Sequence, residues 1–230
     1  MKKILLVYNL MLATLTLNAQ EMIAQFVTWR AIKGSESKFE QGYRQHLQWH
    51  KINNEPWDWY GWYIISGPRT GQFIDATFNH PWNDFDQAIK PQEDLADNRA
   101  NVFPYGDLME SYKIAIRPEY STYSETKFNT RLVRVVSLDA NNLIYADMVL
   151  RKLKAELEKL KISVFKVVDG STLNRYYLFH LCNSNRELGE SSNLFEIISK
   201  IQTDLKVVAF SEAKSETLLF RSDMSLINEK

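Results

Sequence analysis

Apolar and polar positions along the chain follow two periods that exchange in a fixed order. Met22 to Ile32 is dense in β-branched and aromatic residues and predicts a strand. Gly34-Ser35 breaks it, and Ser35 is a candidate N-cap with Lys38 where a capping box would carry Glu or Gln. A helix is predicted from there to about Asn53, ahead of Pro56. Trp57 to Ser66 and Gln72 to Asn79 alternate as strands, joined across Gly67-Pro68 and Gly71. His80-Pro81 opens a second predicted helix, which Pro91 interrupts or kinks and Asp94 to Val102 continues. Met109 to Arg117 is a fourth strand, ended by Pro118.

Glu119 to Asn129 is polar and has no period, which predicts a link. The same succession then recurs. Arg131 to Leu138 is a strand. Leu143 to Leu160 is the clearest helix, with Leu143, Ala146, Val149, Leu150, Leu153, Leu157 and Leu160 every three or four positions. Val164 to Val168 and Asn174 to Cys182 form a hairpin around Asp169-Gly170. Asn183 to Asn193 is a polar loop, Leu194 to Leu205 a shorter helix, and Lys206 to Phe210 with Thr217 to Arg221 the closing strand or strands. Strand, helix, hairpin, helix, strand therefore runs twice, over residues 21–119 and 131–222, with a link at 120–130 and a tail at 223–230. The fold class is α+β. Two such units each leave one sheet face open, and the expectation is that they close over each other in one domain.

The halves differ in their chemistry. All six tryptophans and three of the four histidines lie in the first. On its leading helix, Phe39, Tyr43, His46 and His50 share a stripe that should face the core, with Leu47 and Trp49 flanking it. A His pair four residues apart can ligate a metal, place one imidazole on a haem iron, or act as a base. Each His can equally be hydrogen-bonded inside a core. No HExxH or comparable third-ligand spacing accompanies the pair, so no metal is expected.

On the third strand, alternation puts Asp75 on a face with Phe73 and Thr77, in a sheet covered on both sides. A carboxylate there is costly without partners, and Arg30 or a His of the helix is the expected one. Trp57, Trp59 and Tyr63 alternate with Tyr60 and Trp62, which serves core packing or an aromatic-lined pocket. Tyr43, His46, His50, Trp59, Trp62, Asp75 and Trp82 are the candidate ligand-contacting residues, with His46, His50 and Asp75 as catalytic candidates. His180 and Cys182 read as buried core groups. GxSxG, GxGxxG, P-loop, EF-hand and CxxC patterns are absent.

Charge and termini narrow the partners. Lys2 and Lys3 precede an apolar stretch from Ile4 to Leu17, and Ala19 suits cleavage before Gln20, the pattern of a secretory signal peptide over residues 1–19. Removing Lys2 and Lys3 from the 28 Lys and Arg leaves 26 against 28 Asp and Glu, with no basic stripe. Nucleic acid and stable membrane insertion of the mature chain are not expected. Cys182 is the only cysteine, so no internal disulfide can form and the core must supply the stability of an exported, periplasmic or secreted protein. Oligomeric state is left open, a monomer being compatible with the doubling.

The tandem βαββαβ order is ferredoxin-like. With the Trp- and His-bearing first helix, the Tyr/Trp-rich second strand and the Asp-bearing third strand running into Asn79-His80-Pro81-Trp82-Asn83-Asp84-Phe85-Asp86-Gln87, the chain resembles the dimeric α/β-barrel superfamily, which contains antibiotic-biosynthesis-monooxygenase-like and NIPSNAP-like domains. The resemblance implies two sheets packed face to face inside one chain, helices outside, and a pocket between helices and sheet. It implies a range of activities: cofactor-free oxygenases, haem-degrading and haem peroxidase-like proteins, and inactive domains. Asn79, His80 and Trp82 are too close together to match the haem-degrading set, and no cofactor is expected, haem being the one alternative. The leading expectation is an exported protein binding a small aromatic or cyclic ligand. The alternative is a cofactor-independent oxygenase-like enzyme with His46 or His50 as base and Asp75 as orienter. A third is an interaction protein with an exposed apolar patch on the second half.

Overall fold

In a computed structural model, described for residues 20–124 and 127–228, eight antiparallel strands close into one barrel. The elements in chain order are β1 (Ile23–Ala31), α1 (Glu36–Ile52), β2 (Tyr60–Ile64), β3 (Phe73–His80), α2 (Pro91–Asn101), β4 (Gly106–Ile116), β5 (Leu132–Ala140), α3 (Leu143–Glu156), β6 (Ile162–Asp169), β7 (Arg175–Cys182), α4 (Asn185–Gly189), α5 (Leu194–Leu205) and β8 (Phe210–Phe220), with short 3₁₀ turns at Trp82–Gln87 and Ser222–Met224. Around the barrel the order is β1-β3-β2-β8-β5-β7-β6-β4. Read from each outer strand, the first half is β4-β1-β3-β2 and the second is β8-β5-β7-β6, the same order. The seams are β2 with β8, where Trp62 pairs Phe220, and β4 with β6, where Ile116 pairs Phe165. The proposed signal peptide lies outside the described residues. No helix among those described is long and apolar enough to cross a membrane.

Alternation along the strands builds three cores. Inward residues such as Phe26, Tyr60, Trp62, Ile74, Phe78, Ile114, Val133, Phe165 and Phe179 fill the barrel. Outward residues Trp29 and Phe73 pack with Phe39, Tyr43, Leu47 and Val102 beneath α1. Under α3 and α5 the layer is mostly aliphatic, with Val149, Leu150, Leu153, Ile198 and Ile201 against Leu138, Val164 and Leu178, beside Tyr176 and Phe210. Each of these large side chains contributes about 1.5–3 kcal/mol on burial.

Several expectations change. The second helix does not start at His80-Pro81. His80 ends β3, residues 82–87 form a 3₁₀ turn, and α2 begins with Pro91 at its first position, where a missing N–H leaves nothing unpaired. Of the one or two closing strands expected the structure forms one, because residues 213–216 pair with β5 despite their polarity, across a bulge after Phe210. The link contributes Phe128, which is buried in the barrel and stacks on Phe78 at 4.1 Å between ring centres. The tail docks: Met224 is buried and Leu226 bridges Trp59. The predicted α3 is also shorter, since its cap at Leu157 closes the backbone onto Leu153 and Lys154. Its start is set by the Asn142 side chain, which accepts from the Ile144 and Tyr145 N–H groups.

α2 differs from α1 in kind. It buries none of its eleven residues, and it lies against α1 at Gly42, where an added Cβ would sit 1.8 Å from the Asn101 carbonyl oxygen. A glycine on the α1 stripe thus lets the second backbone come close enough to bring its polar side chains over the histidines.

Candidate active site

Between α1, α2 and the outer face of the first-half sheet lies a cavity of about 240 Å³, lined by Gln25, Val27, Trp29, Tyr43, His46, His50, Trp59, Asp75, Asp94, Asn98, Phe103, Leu108 and Ser111. Five sequence-predicted residues meet there: Tyr43, His46, His50, Trp59 and Asp75. Trp62 does not, because its parity on β2 sends it into the barrel interior. Trp82 does not either. It is 43% exposed on the 3₁₀ turn and its indole donates to Glu21. Arg30 is not the partner of Asp75, since it points out and pairs with Asp107.

Asp75 is 5% exposed and accepts from the Trp29 indole N–H at 2.7 Å and from the Tyr43 hydroxyl. Burial pushes its carboxyl up to about 7, the two hydrogen bonds offsetting part of that penalty. Tyr43 is driven well above the ordinary phenol range by burial and by the adjacent Asp75.

The histidines form a separate cluster on the same cavity wall. His46 Nδ1 donates to Asp97 Oδ2 at 2.8 Å, and His50 Nδ1 is paired with Glu55 Oε2. A carboxylate can only accept, so Asp97 assigns the His46 proton to Nδ1 and leaves its Nε2 as an acceptor; His50 Nδ1 meets Glu55 as a close contact without a formed hydrogen bond. The two Nε2 atoms lie 3.0 Å apart, and Asp94 Oδ1 stands 3.4 Å from one and 3.8 Å from the other. The Asn98 amide reaches His46 Nε2 at 2.8 Å. His46 is held below the ordinary imidazole value by burial first and by His50 second. Burial raises Asp94, against the pull of both imidazoles. Trp59 stacks on His50 at 5.0 Å, and its indole N–H is buried without a partner among the described residues.

Asp94, Asp97, Asn98, Glu55 and Trp29 were not anticipated. A usable signal was present: Pro91 to Asn101 has helical length but no apolar stripe, so its carboxylates at a spacing of three and its Asn98 had to serve something other than packing. The carboxylate that could join the two histidines, which spacing did not reveal, comes from this helix. His180 is a satisfied core histidine, contacting Ser191 Oγ at 2.9 Å and pushed down to about 4 by burial. Cys182 is buried and pushed up to about 11, which does not suit a nucleophile.

A larger cavity, about 680 Å³, opens at one mouth of the barrel. Its charged groups are largely spoken for, with Arg69 on Glu216 and Arg175 on Asp139. The smaller cavity holds the unpaired donor and the perturbed carboxyls, so chemistry is assigned to it.

Comparison with family models and with curated proteins finds no match. Solved structures do match in fold. An anthrone oxidase-like protein superposes with a TM-score of 0.55 at 9% identity, covering 89% of this chain and 92% of the other. A provisionally named monooxygenase from Lactobacillus acidophilus NCFM gives 0.59 at 8% identity over 89% and 95%. A mutant chlorite dismutase from Candidatus Nitrospira defluvii gives 0.61 at 7% identity over 88% and 92%. The chain therefore has the ferredoxin-like, dimeric α/β-barrel fold.

Haem is compatible with that fold and does not fit this cavity. The space is below the ~300–1,000 Å³ of ordinary small-molecule pockets. Asp97 and Glu55 also fix both imidazoles with Nε2 turned toward each other and Asp94, rather than toward an open slot.

Proposed function

We propose that this chain is an exported small-molecule enzyme of oxygenase type, in which Asp75 takes a proton from a compact, activated carbon acid held beneath α1. The observation that carries the reading is a buried carboxyl raised to about 7 inside a cavity with an unpaired indole donor. A base whose proton affinity lies near neutrality is the kind that works best there. The fold neighbours named as monooxygenases and as anthrone oxidase-like support the reaction class.

The assignment reverses the sequence expectation for the roles. Both imidazoles are tied through Nδ1 to carboxylates and turned to each other through Nε2, whereas Asp75 has only donors around it. A methylene flanked by aryl groups, as in an anthrone-like ketone, loses a proton to Asp75. The carbanion forms a C–O bond with dioxygen and regains a proton as a hydroperoxide, and loss of water leaves a ketone. Carbon is oxidised and dioxygen reduced, one oxygen atom ending in product and one in water, so no further reductant is required. The unpaired Trp59 N–H is the donor we assign to the ionised substrate oxygen.

The matching strand orders support reading residues 21–119 and 131–222 as tandem copies of one unit, with the second completing the barrel and the first keeping the site. Export rests on the pattern of residues 1–19. The second half does carry exposed Leu143, Ile144, Tyr145 and Met148 at the start of α3, the surface an interaction role would use.

The test is dioxygen uptake by purified protein with anthrone and smaller hydroxyaryl ketones, comparing wild type with Asp75→Asn. Uptake is expected, with kcat falling about 10²–10⁴-fold in the variant. Full turnover by Asp75→Asn sinks the assignment. Stoichiometric ligand binding without any uptake instead establishes the ligand-binding reading of the same cavity.

A further inference from the structure

The histidine cluster is built with more order than a proton-bonded pair requires. Three electron-rich atoms from two helices, His46 Nε2, His50 Nε2 and Asp94 Oδ1, converge at 3.0, 3.4 and 3.8 Å. His46 Nδ1 donates to Asp97, its Nε2 lone pair takes the Asn98 amide at 2.8 Å, and His50 Nε2 stands 3.0 Å from it. Asp94 Oδ1 is buried and has no hydrogen-bond donor among the described residues. Three potential ligand atoms this close, one of them an unpartnered carboxylate oxygen, favour a positive charge at their centre.

We propose that His46, His50 and Asp94 bind a divalent first-row transition-metal ion, of the zinc or ferrous class, through Nε2, Nε2 and Oδ1. This deepens the oxygenase reading and rests on it for the ion's role, though not for its existence. Two supporting facts are geometric. An ion with bonds of about 2.0–2.2 Å holds neighbouring ligand atoms about 3.0–3.4 Å apart in octahedral or tetrahedral arrangement, close to the separations seen. Each imidazole also has a carboxylate at its other ring nitrogen, Asp97 hydrogen-bonded to His46 at 2.8 Å and Glu55 in contact with His50, the surroundings that strengthen an imidazole ligand. Two histidines and one carboxylate on a common face leave further positions for water or substrate.

The Asn98 amide now donating to His46 Nε2 either withdraws on binding or turns its oxygen to the ion as a fourth ligand. Asp75 lines the same cavity without belonging to the ligand set. An ion there would polarise a substrate oxygen and acidify the carbon acid that Asp75 deprotonates, with no change in the electron balance. The site is not visible as a sequence motif, because its third ligand arrives 44 residues after His50 on a helix brought in by Gly42.

The experiment uses the full chain freed of metal by chelator dialysis and titrated separately with Zn²⁺ and Co²⁺. Calorimetry should give one ion per chain, Co²⁺ should show visible d–d absorption, and either ion should raise Tm. Asp94→Asn, on a partly exposed side chain that threatens folding little, should abolish the cobalt spectrum or weaken binding at least tenfold. Asp97→Asn should weaken binding about 10–100-fold while keeping the stoichiometry. Asp75→Asn should bind metal like wild type and lose turnover, which separates failure of this site from failure of the oxygenase reading. The proposal is overturned if folded wild type binds neither ion, the histidines then sharing a proton only, or if Asp94→Asn binds as tightly as wild type.

Discussion

Replacing Asp75 by Asn tests the electrostatics of the cavity without reference to any substrate. In the unfolded chain this carboxyl releases its proton near the ordinary value of 3.8, and in the folded chain near 7. Between those values the native state binds the extra proton. Stability attached to this group is therefore fully present below about pH 3.8 and declines as pH rises through about 7. The whole gap is worth about 4 kcal/mol at ~1.36 kcal/mol per pH unit, and the part falling between about pH 5 and pH 8.5 is about 3 kcal/mol. Asn keeps an oxygen for the Trp29 indole and the Tyr43 hydroxyl and carries no charge to desolvate. Urea denaturation of both proteins at the two pH values gives four free energies. The stability of Asp75→Asn relative to wild type should rise by about 3 kcal/mol from the lower pH to the higher, at unchanged m-value. Titrating groups not coupled to Asp75 cancel in this double difference, and its neighbours His50 and Asp94 act on it with opposite sign. A relative stability that stays constant within about 0.5 kcal/mol would refute the claim that burial perturbs this carboxyl, and with it the case for Asp75 as a base near neutrality.

Other outcomes follow from particular contacts. Gly42→Ala should lower stability by about 1–3 kcal/mol, against the ~1 kcal/mol that Ala normally adds to a helix, because its Cβ would collide with the Asn101 carbonyl; a rise in Tm would show that the helices do not approach this closely. Phe128→Ala should cost about 3–5 kcal/mol in chemical denaturation, since the ring sits among Phe78, Phe165 and Phe179. A cost below about 1 kcal/mol would mean that the link does not plug the barrel. Expression in a secreting bacterial host followed by intact mass measurement should give a chain starting at Gln20; retention of Met1 would remove the export reading.

The periodic part of the chain was legible in detail. The α1 stripe of Phe39, Tyr43, His46 and His50 is buried as its spacing requires, and the two faces of β2 and β3 divide between barrel and helix layer as alternation demands. Trp62 was misplaced because an aromatic cluster says nothing about which face is open, although its parity did. The acidic wall of the site was legible only as a helix with no apolar stripe. Asp94 and Asp97 look like an ordinary solvated helix face until Gly42 brings that helix against α1. Glu55 follows the end of α1, where Asn54 turns the chain at positive φ and lets the carboxylate fold back on His50. Phe128 was missed because one ring in a polar, aperiodic stretch has no neighbours in sequence to mark it. Contacts made by non-periodic residues depend on how elements dock, and that information is distributed over the whole chain.

The two helices beside the cavity are secured very unequally. α1 buries six residues, and raising it would disrupt the core beneath it. α2 is pinned at its C-terminal end by the buried Val102 and along its length by polar contacts alone. One wall of the enclosure is thus as durable as the protein, while the other can open at far lower free energy. Amide hydrogens of residues 91–101 should exchange well before those of 39–50. Entry to the enclosure is then a matter for α2, pivoting on Val102, and not for α1.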